Sequence, residues 1–293
     1  SRTMRNLALL AAVALPLWAG VPQPSAPEPA LPKAVEPELL FRAITSYEFE
    51  ADIDGRGGAA TEAVEARGGA TLRLMLADNW RLSLGGAYAR FDFPGAISPI
   101  PETLEQVTGE VGIEYLYKGR RALFINARPG FYYTDGFETD SFDIPAVAAT
   151  GYPLTRNLIV SVGAIYSQFR DTPVLPIAGM IWDINDRLVL NLIAPEPALT
   201  YRFDNGAELS LKGDMIGTTV RVGDDLPEPY RGENLDYLNL RTGLSVKFGN
   251  ETGWQVEADA GWSFYRRFDY DDLDRAENLD GTPYLRLALR WSF

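Results

Sequence analysis

Neither cysteine nor histidine occurs anywhere in the 293 residues. Without Cys there is no disulfide framework and no thiolate metal site. The missing His excludes more, because it removes the usual general base of hydrolases and the commonest zinc ligand. Long apolar runs are scarce too. Leu7 to Ala19 is the one candidate, but it is shorter than the roughly 20 residues a membrane helix requires, and Pro16 breaks it. Positive charge is in deficit: 27 Lys and Arg face 40 Asp and Glu, for a net charge of −13. A chain so balanced lacks the basic patch that nucleic-acid phosphates demand, so nucleic acid is not expected as a partner.

What is present begins with export. Arg2 and Arg5 precede the apolar run, and Ala19-Gly20 offers a small-residue cleavage site, so residues 1–20 are expected to be a secretory signal peptide. Prolines 22, 24, 27, 29, 32 and 37 then mark 21–40 as an extended periplasmic linker. The third segment, 41–293, alternates. In the last ten residues Leu285, Leu287, Leu289, Trp291 and Phe293 oppose Tyr284, Arg286, Ala288, Arg290 and Ser292. A strand turns successive side chains to opposite faces, so one face here is wholly apolar and the other carries two arginines. This end resembles the C-terminal signal of bacterial outer-membrane β-barrels, an apolar strand closed by Phe. The resemblance implies that Trp291 and Phe293 are read by the barrel-insertion machinery.

The same period recurs along the chain. Leu238, Leu240, Leu244, Val246 and Phe248 oppose Asn239, Arg241, Ser245 and Lys247. Trp254 to Phe264 opposes Gln255, Glu257, Asp259 and Ser263. About fourteen strands can be counted, with twelve as the alternative where Pro195 and Pro197 shorten the region 174–204. Tight turns such as Asp78-Asn79, Asp204-Asn205-Gly206 and Gly249-Asn250 alternate with longer connections near 54–63, 94–106, 135–142, 223–233 and 266–281. Short periplasmic turns and long outer loops alternate in this way in outer-membrane barrels. Aromatic residues collect at both strand ends on the apolar face. Tyr115, Tyr117, Phe248, Trp254, Trp291 and Phe293 lie beside short turns; Tyr88, Tyr133, Trp262 and Phe264 lie at the other end. Such belts suit two bilayer interfaces. A soluble sandwich or lipocalin-like barrel shares the alternation but does not call for the belts.

The expected fold is therefore all-β: a transmembrane antiparallel up-and-down barrel, integral to the bacterial outer membrane and in contact with its lipids. The segment Ile181-Trp-Asp-Ile-Asn-Asp186, followed by Leu192 to Phe203, also resembles a domain-of-unknown-function family of predicted outer-membrane barrels. That resemblance implies a barrel and an outer-membrane address and carries no substrate or site.

On the polar face, candidate lumen charges are Arg73, Arg81, Glu110, Glu114, Arg128, Arg241, Glu257, Asp259, Arg286 and Arg290, with Arg42, Glu48, Glu50 and Lys212 in the same rows. They either pair across strands to hold a hydrated wall or ring the narrowest point and sort solutes. The adjacency of Glu257 and Asp259 to Arg286 and Arg290 in strand order favours pairing there. The outer loops are acidic, with Asp135, Glu138, Asp140, Asp143, Asp224 and Asp225 as a candidate vestibule. Asp269 to Asp274 supplies only part of a calcium loop. No nucleophile–base constellation appears, so no catalytic residue, metal or cofactor is expected. Barrel enzymes that cut lipids or peptides rely on His, which this chain lacks.

The favoured function is a porin-like channel for passive diffusion of small hydrophilic solutes or ions, weakly preferring cations because of its loops. The rival is a structural or docking barrel that binds a periplasmic or outer-membrane protein through linker or loops. The absence of a plug-sized segment counts against that rival. Uptake of apolar molecules is disfavoured by the charged rows, with Ala178, Met180 and Trp182 as the exception.

Overall fold

Period-two sequences with β-branched and aromatic outer rows satisfy their backbone only by pairing, and a sheet in lipid must close on itself. The computed structural model describes residues 37–117, 120–170, 172–250, 253–270 and 273–293. The expected signal peptide, 1–20, and most of the expected linker, 21–40, lie outside the described residues. The strand segments are β1 (Glu38–Asp52), β2 (Ala60–Ala77), β3 (Trp80–Asp92), β4 (Thr103–Tyr117), β5 (Arg120–Ala127) and β6 (Gly130–Tyr133). They continue with β7 (Phe142–Asp143), β8 (Ala146–Pro153), β9 (Leu158–Tyr166), β10 (Val174–Asp183), β11 (Leu188–Asn191) and β12 (Ala198–Arg202). The last are β13 (Glu208–Arg221), β14 (Asn234–Gly249), β15 (Gly253–Tyr270), β16 (Arg275–Leu279) and β17 (Thr282–Ser292).

β6 prolongs β5 past Pro129, β7 precedes β8 across Pro145, and β16 precedes β17 across Gly281. The wall therefore has 14 antiparallel strands. It closes where β1 meets β17, with Phe41 opposite Trp291 and Leu39 N–H donating to Phe293 O at 2.8 Å. That closing pair needs a partner for the end of β17, and so β1 starts at Glu38, inside the stretch assigned to the linker. β2 takes up the last four residues of the loop expected at 54–63, and the expected loop 266–281 is largely the hairpin of β15 and β16.

The outer surface is apolar between two aromatic rows. Tyr117, Tyr152, Phe203, Phe248 and Trp254 are exposed at the short-turn end; Phe49, Tyr88, Tyr166, Trp262 and Phe264 are exposed at the other. Trp291 stacks on Trp254 at 5.2 Å and on Phe41 at 5.7 Å. Trp254 and Phe264 are ten residues apart on β15, which at about 3.4 Å per residue and the usual tilt gives a height of roughly 26 Å. That matches a lipid-facing band of about 25 Å. A closed barrel with such a band is an integral outer-membrane protein. Tyr133 differs from its expected place in the outer belt: it is buried, at 5% exposure, and bridges β6 to β13 opposite Arg221.

The wall is uneven. β2 and β15 each have 18 residues, about 47 Å of height by the same conversion, whereas β11 and β12 have 4 and 5. The tall strands thus project beyond the bilayer on the loop side. Their projecting part is filled like a soluble core. Phe93, Leu104, Val220, Leu235, Phe268 and Tyr270 have no exposed surface, and Ile100, Val222, Leu226 and Tyr230 pack with them from the loops. Phe93 meets Phe268 at 4.9 Å and Tyr237 at 5.2 Å. Each such fully buried side chain is worth about 1.5–3 kcal/mol. Loops 93–102 and 222–233 therefore build a plug, where the sequence offered no single plug-sized segment. No one segment needed to be long, because many strands and both loops each contribute one to three residues.

Candidate functional site: the barrel lumen

Below the plug, the inward rows meet in ionic clusters, of which two are the most deeply buried. The first centres on Arg241 of β14, whose side chain has no exposed surface. Its guanidinium donates to Asp214 at 2.6 Å, Ser46 at 3.0 Å, Glu48 at 3.2 Å and Glu65 at 3.3 Å. Ser46 also donates to Glu65 at 2.7 Å, and Asn239 donates to Glu48 at 2.5 Å. Arg67 pairs with Glu65, and Arg266 lies 3.5 Å from Glu48. Three arginines therefore balance three carboxylates.

The second cluster centres on Arg286 of β17. It binds Asp259, Glu257 at 3.0 Å and Glu196 at 3.4 Å. The register explains the first contact, since Asp259 stands directly opposite Arg286, while Arg290 stands opposite Gln255. Lys212 reaches Glu257 at 2.6 Å, and Arg42 reaches Glu196 at 3.2 Å. Here too three cations face three anions. Charges so deeply placed must be paired, since an isolated one would carry the full desolvation penalty.

A cavity lies beside both clusters, against the inner face of β1 to β5. It holds about 1140 Å³ of space counted out to the solvent at its mouth. Gly69, Ala87 and Ala89 line it and carry almost no side chain, and that missing volume is what leaves it open. Arg42, Arg67, Arg73, Arg128 and Arg290 share its walls with Glu110 and Glu114. Arg73 pairs with Glu38 at 3.3 Å, Arg81 with Glu114, and Glu110 accepts from Asn126 at 3.0 Å. Phe124 of that lining packs with Val147, Ile165 and Ile177, and farther round the inner wall Ile181 packs with Val189 and Ile193.

All ten candidate lumen charges lie on inward rows. Arg241 joins the first cluster; Glu257, Asp259 and Arg286 join the second; Arg73, Glu110, Glu114, Arg128 and Arg290 line the cavity. Arg81 is held beside the cavity by Glu114. Glu50 is different: the register shifts between Glu48 and Ala51, which turns it outward into water. Trp182 is 43% exposed on the lipid side, with Ala178 and Met180 in its row, while the inward row of β10 is Leu175, Ile177, Gly179 and Ile181. The inward row is thus one residue out of step with the expected one, although both rows are apolar. Asp135, Glu138, Asp140, Asp224 and Asp225 lie on the outer loops. Asp140 pairs with Arg221, Asp224 with Arg231, and Asp225 accepts from Thr134. Asp143 is buried at 1% exposure and accepts from Ser167 at 2.6 Å, so it holds a loop together and does not face a vestibule. Of the Asp269 to Asp274 stretch, Asp269 is tied to Arg267 within β15.

Glu65, Arg67, Glu196, Asp214 and Arg266 were not singled out by sequence. Glu65 and Arg67 sit in the row Thr61, Ala63, Glu65, Arg67, Gly69, Thr71, Arg73, a polar row on β2 whose opposite face has few large apolar residues. Glu196 comes from the turn between β11 and β12, which reaches mid-barrel only because those strands are so short.

Comparison with known proteins adds the following. The chain matches the family described as Domain of unknown function (DUF6268) over residues 57–290. No protein of curated function matches it. Among solved structures it is similar to the COG4313 outer membrane channel from Pseudomonas putida F1, at 14% identity and a TM-score of 0.47, covering 92% of this chain and 100% of that one. It is also similar to Salmonella typhi OmpF, at 10% identity and a TM-score of 0.38, covering 88% and 97%. The P. putida toluene transporter TodX gives 9% and 0.35, covering 87% and 89%.

Proposed function

The chain belongs to this family of unknown function, and on that premise we propose that it is a narrow outer-membrane channel for passive diffusion of small hydrophilic solutes, shut at its outer end in the state described. The observation that carries the reading is the lumen. A purely structural barrel has no use for a cavity kept open by Gly69, Ala87 and Ala89 beside partly exposed charges such as Arg42 and Glu196, each 20% exposed. Both ionic clusters are neutral, so this part of the inner wall favours neither sign. Asp135, Glu138, Asp140, Asp224 and Asp225 outnumber Arg221 and Arg231 at the outer mouth. An acidic mouth concentrates cations, which gives inorganic ions a weak cation preference that fades as salt rises.

The plug favours a second reading, a closed structural or docking barrel, because its apolar core occupies the outer end. Planar-bilayer recording of the refolded protein separates the two. Discrete conductance steps with a cation-leaning reversal potential at low salt are expected. Silence across salts and voltages would leave only the docking barrel.

A further inference from the structure

We propose that the cavity beneath the plug is a binding site for a small organic anion with a flat apolar body, an aromatic carboxylate being the simplest case. The inference rests on the channel reading only for the ligand's route into the barrel.

Five arginines and two glutamates line the cavity. The carboxylates that pair with Arg42 and Arg67, Glu196 and Glu65, are not part of that lining, so arginines outnumber carboxylates around the space. Arg67 is the sharpest indicator. Its side chain is 9% exposed, its Nε faces Glu65, and its Nη2 is buried with no hydrogen-bond partner. A buried donor left in this state is costly, and a ligand oxygen would satisfy it. The guanidinium fork suits a carboxylate in particular, since two parallel N–H groups can meet two oxygens.

Inorganic anions use only half of the site. Leu40, Ile44, Ala89, Phe91, Phe124 and Ile216 line the rest of it, a surface that favours a ring or short chain over water. Arg42 and Arg67 are balanced within the neighbouring clusters, which leaves Arg73, Arg81, Arg128 and Arg290 against Glu38, Glu110 and Glu114 in and beside the cavity, an excess of one cation. The acidic outer mouth does not oppose this. Arg67 lies seven residues below the outer end of β2 at Ala60, about 18 Å of height. That is about two screening lengths at physiological salt.

Isothermal titration of the refolded full chain in detergent tests the proposal with benzoate, benzyl alcohol, benzylammonium and acetate as probes. Benzoate should saturate one site and bind at least tenfold tighter than each of the other three. Ala87→Leu fills the cavity without touching a charge and should weaken benzoate at least tenfold. Arg67→Gln should bring benzoate down to the level of benzyl alcohol. Equal binding of benzoate and benzyl alcohol would overturn the proposal, as would benzoate binding that Ala87→Leu leaves unchanged. Conductance is scored separately. Conducting protein that ignores benzoate sinks this inference alone, and benzoate binding by a silent barrel sinks the channel reading alone.

Discussion

Replacing Arg241 by Leu removes a cation that makes four hydrogen bonds with no exposed surface. What remains is three carboxylates, Glu48, Glu65 and Asp214, facing two arginines, Arg67 and Arg266. Breaking a buried pair from one side leaves an uncompensated charge and costs about 3–5 kcal/mol, which at 1.4 kcal/mol per tenfold is roughly two to three and a half decades in the unfolding constant. The double replacement Arg241→Leu with Asp214→Leu removes one charge of each sign. Most of the loss should then return, because an apolar pair of similar volume is about as stable as a buried ion pair. The exposed Arg187–Asp204 pair, 53% and 81% exposed, serves as the control and should show no measurable change on Asp204→Asn. Urea unfolding of the protein in lipid vesicles, followed by tryptophan fluorescence, gives all three numbers. A loss below about 1 kcal/mol for Arg241→Leu would refute the claim that this cluster is a dry, closed charge balance. A double variant no better than the single one would refute it equally.

Three other outcomes follow from the plug and the barrel seam. Tyr270 donates to Pro99 O from a fully buried position, so Tyr270→Phe should cost the plug about 1–3 kcal/mol and raise open probability in single-channel records; unchanged gating would show that the plug does not gate. Partial burial, with Asp135 and Glu102 nearby, pushes the Asp225 carboxyl up. Its folded value therefore lies above its unfolded one, so the plug gains stability as pH falls through that raised range and loses it as pH rises. Conductance should accordingly decline on acidification into that raised carboxylate range, and Asp225→Asn should remove that part of the dependence; an identical pH profile in the variant would contradict the assignment. Phe293 packs on Trp291 at 4.4 Å and is 58% exposed. Phe293→Ala should lower the folded, heat-modifiable fraction in cells severalfold while refolding in detergent changes little; equal loss in both would make the residue a packing element rather than a signal.

The sequence by itself determined the barrel, its size class and its lipid-facing side. Period-two alternation is a local property, and from Trp254 to Phe264 or Leu285 to Phe293 every second residue states its face without reference to any other strand. The pairing of Arg286 with the Glu257 strand was legible for a related reason, since strands consecutive along the chain become neighbours in the wall. Legibility stopped where a single residue shifts the register. The bulge between Glu48 and Ala51 turned Glu50 outward, and on β10 two apolar rows left the choice of face undetermined. The cluster around Arg241 joins β1, β2, β13 and β14 across up to 195 residues of chain, and no local pattern encodes a contact at that separation. The plug has the same character: nothing local marks Phe93, Tyr237 and Phe268 as partners until the tall strands carry them past the bilayer and into one another. Which residues face inward is a matter of strand geometry. Which of them meet depends on strand lengths, tilt and closure, and only the assembled wall sets those.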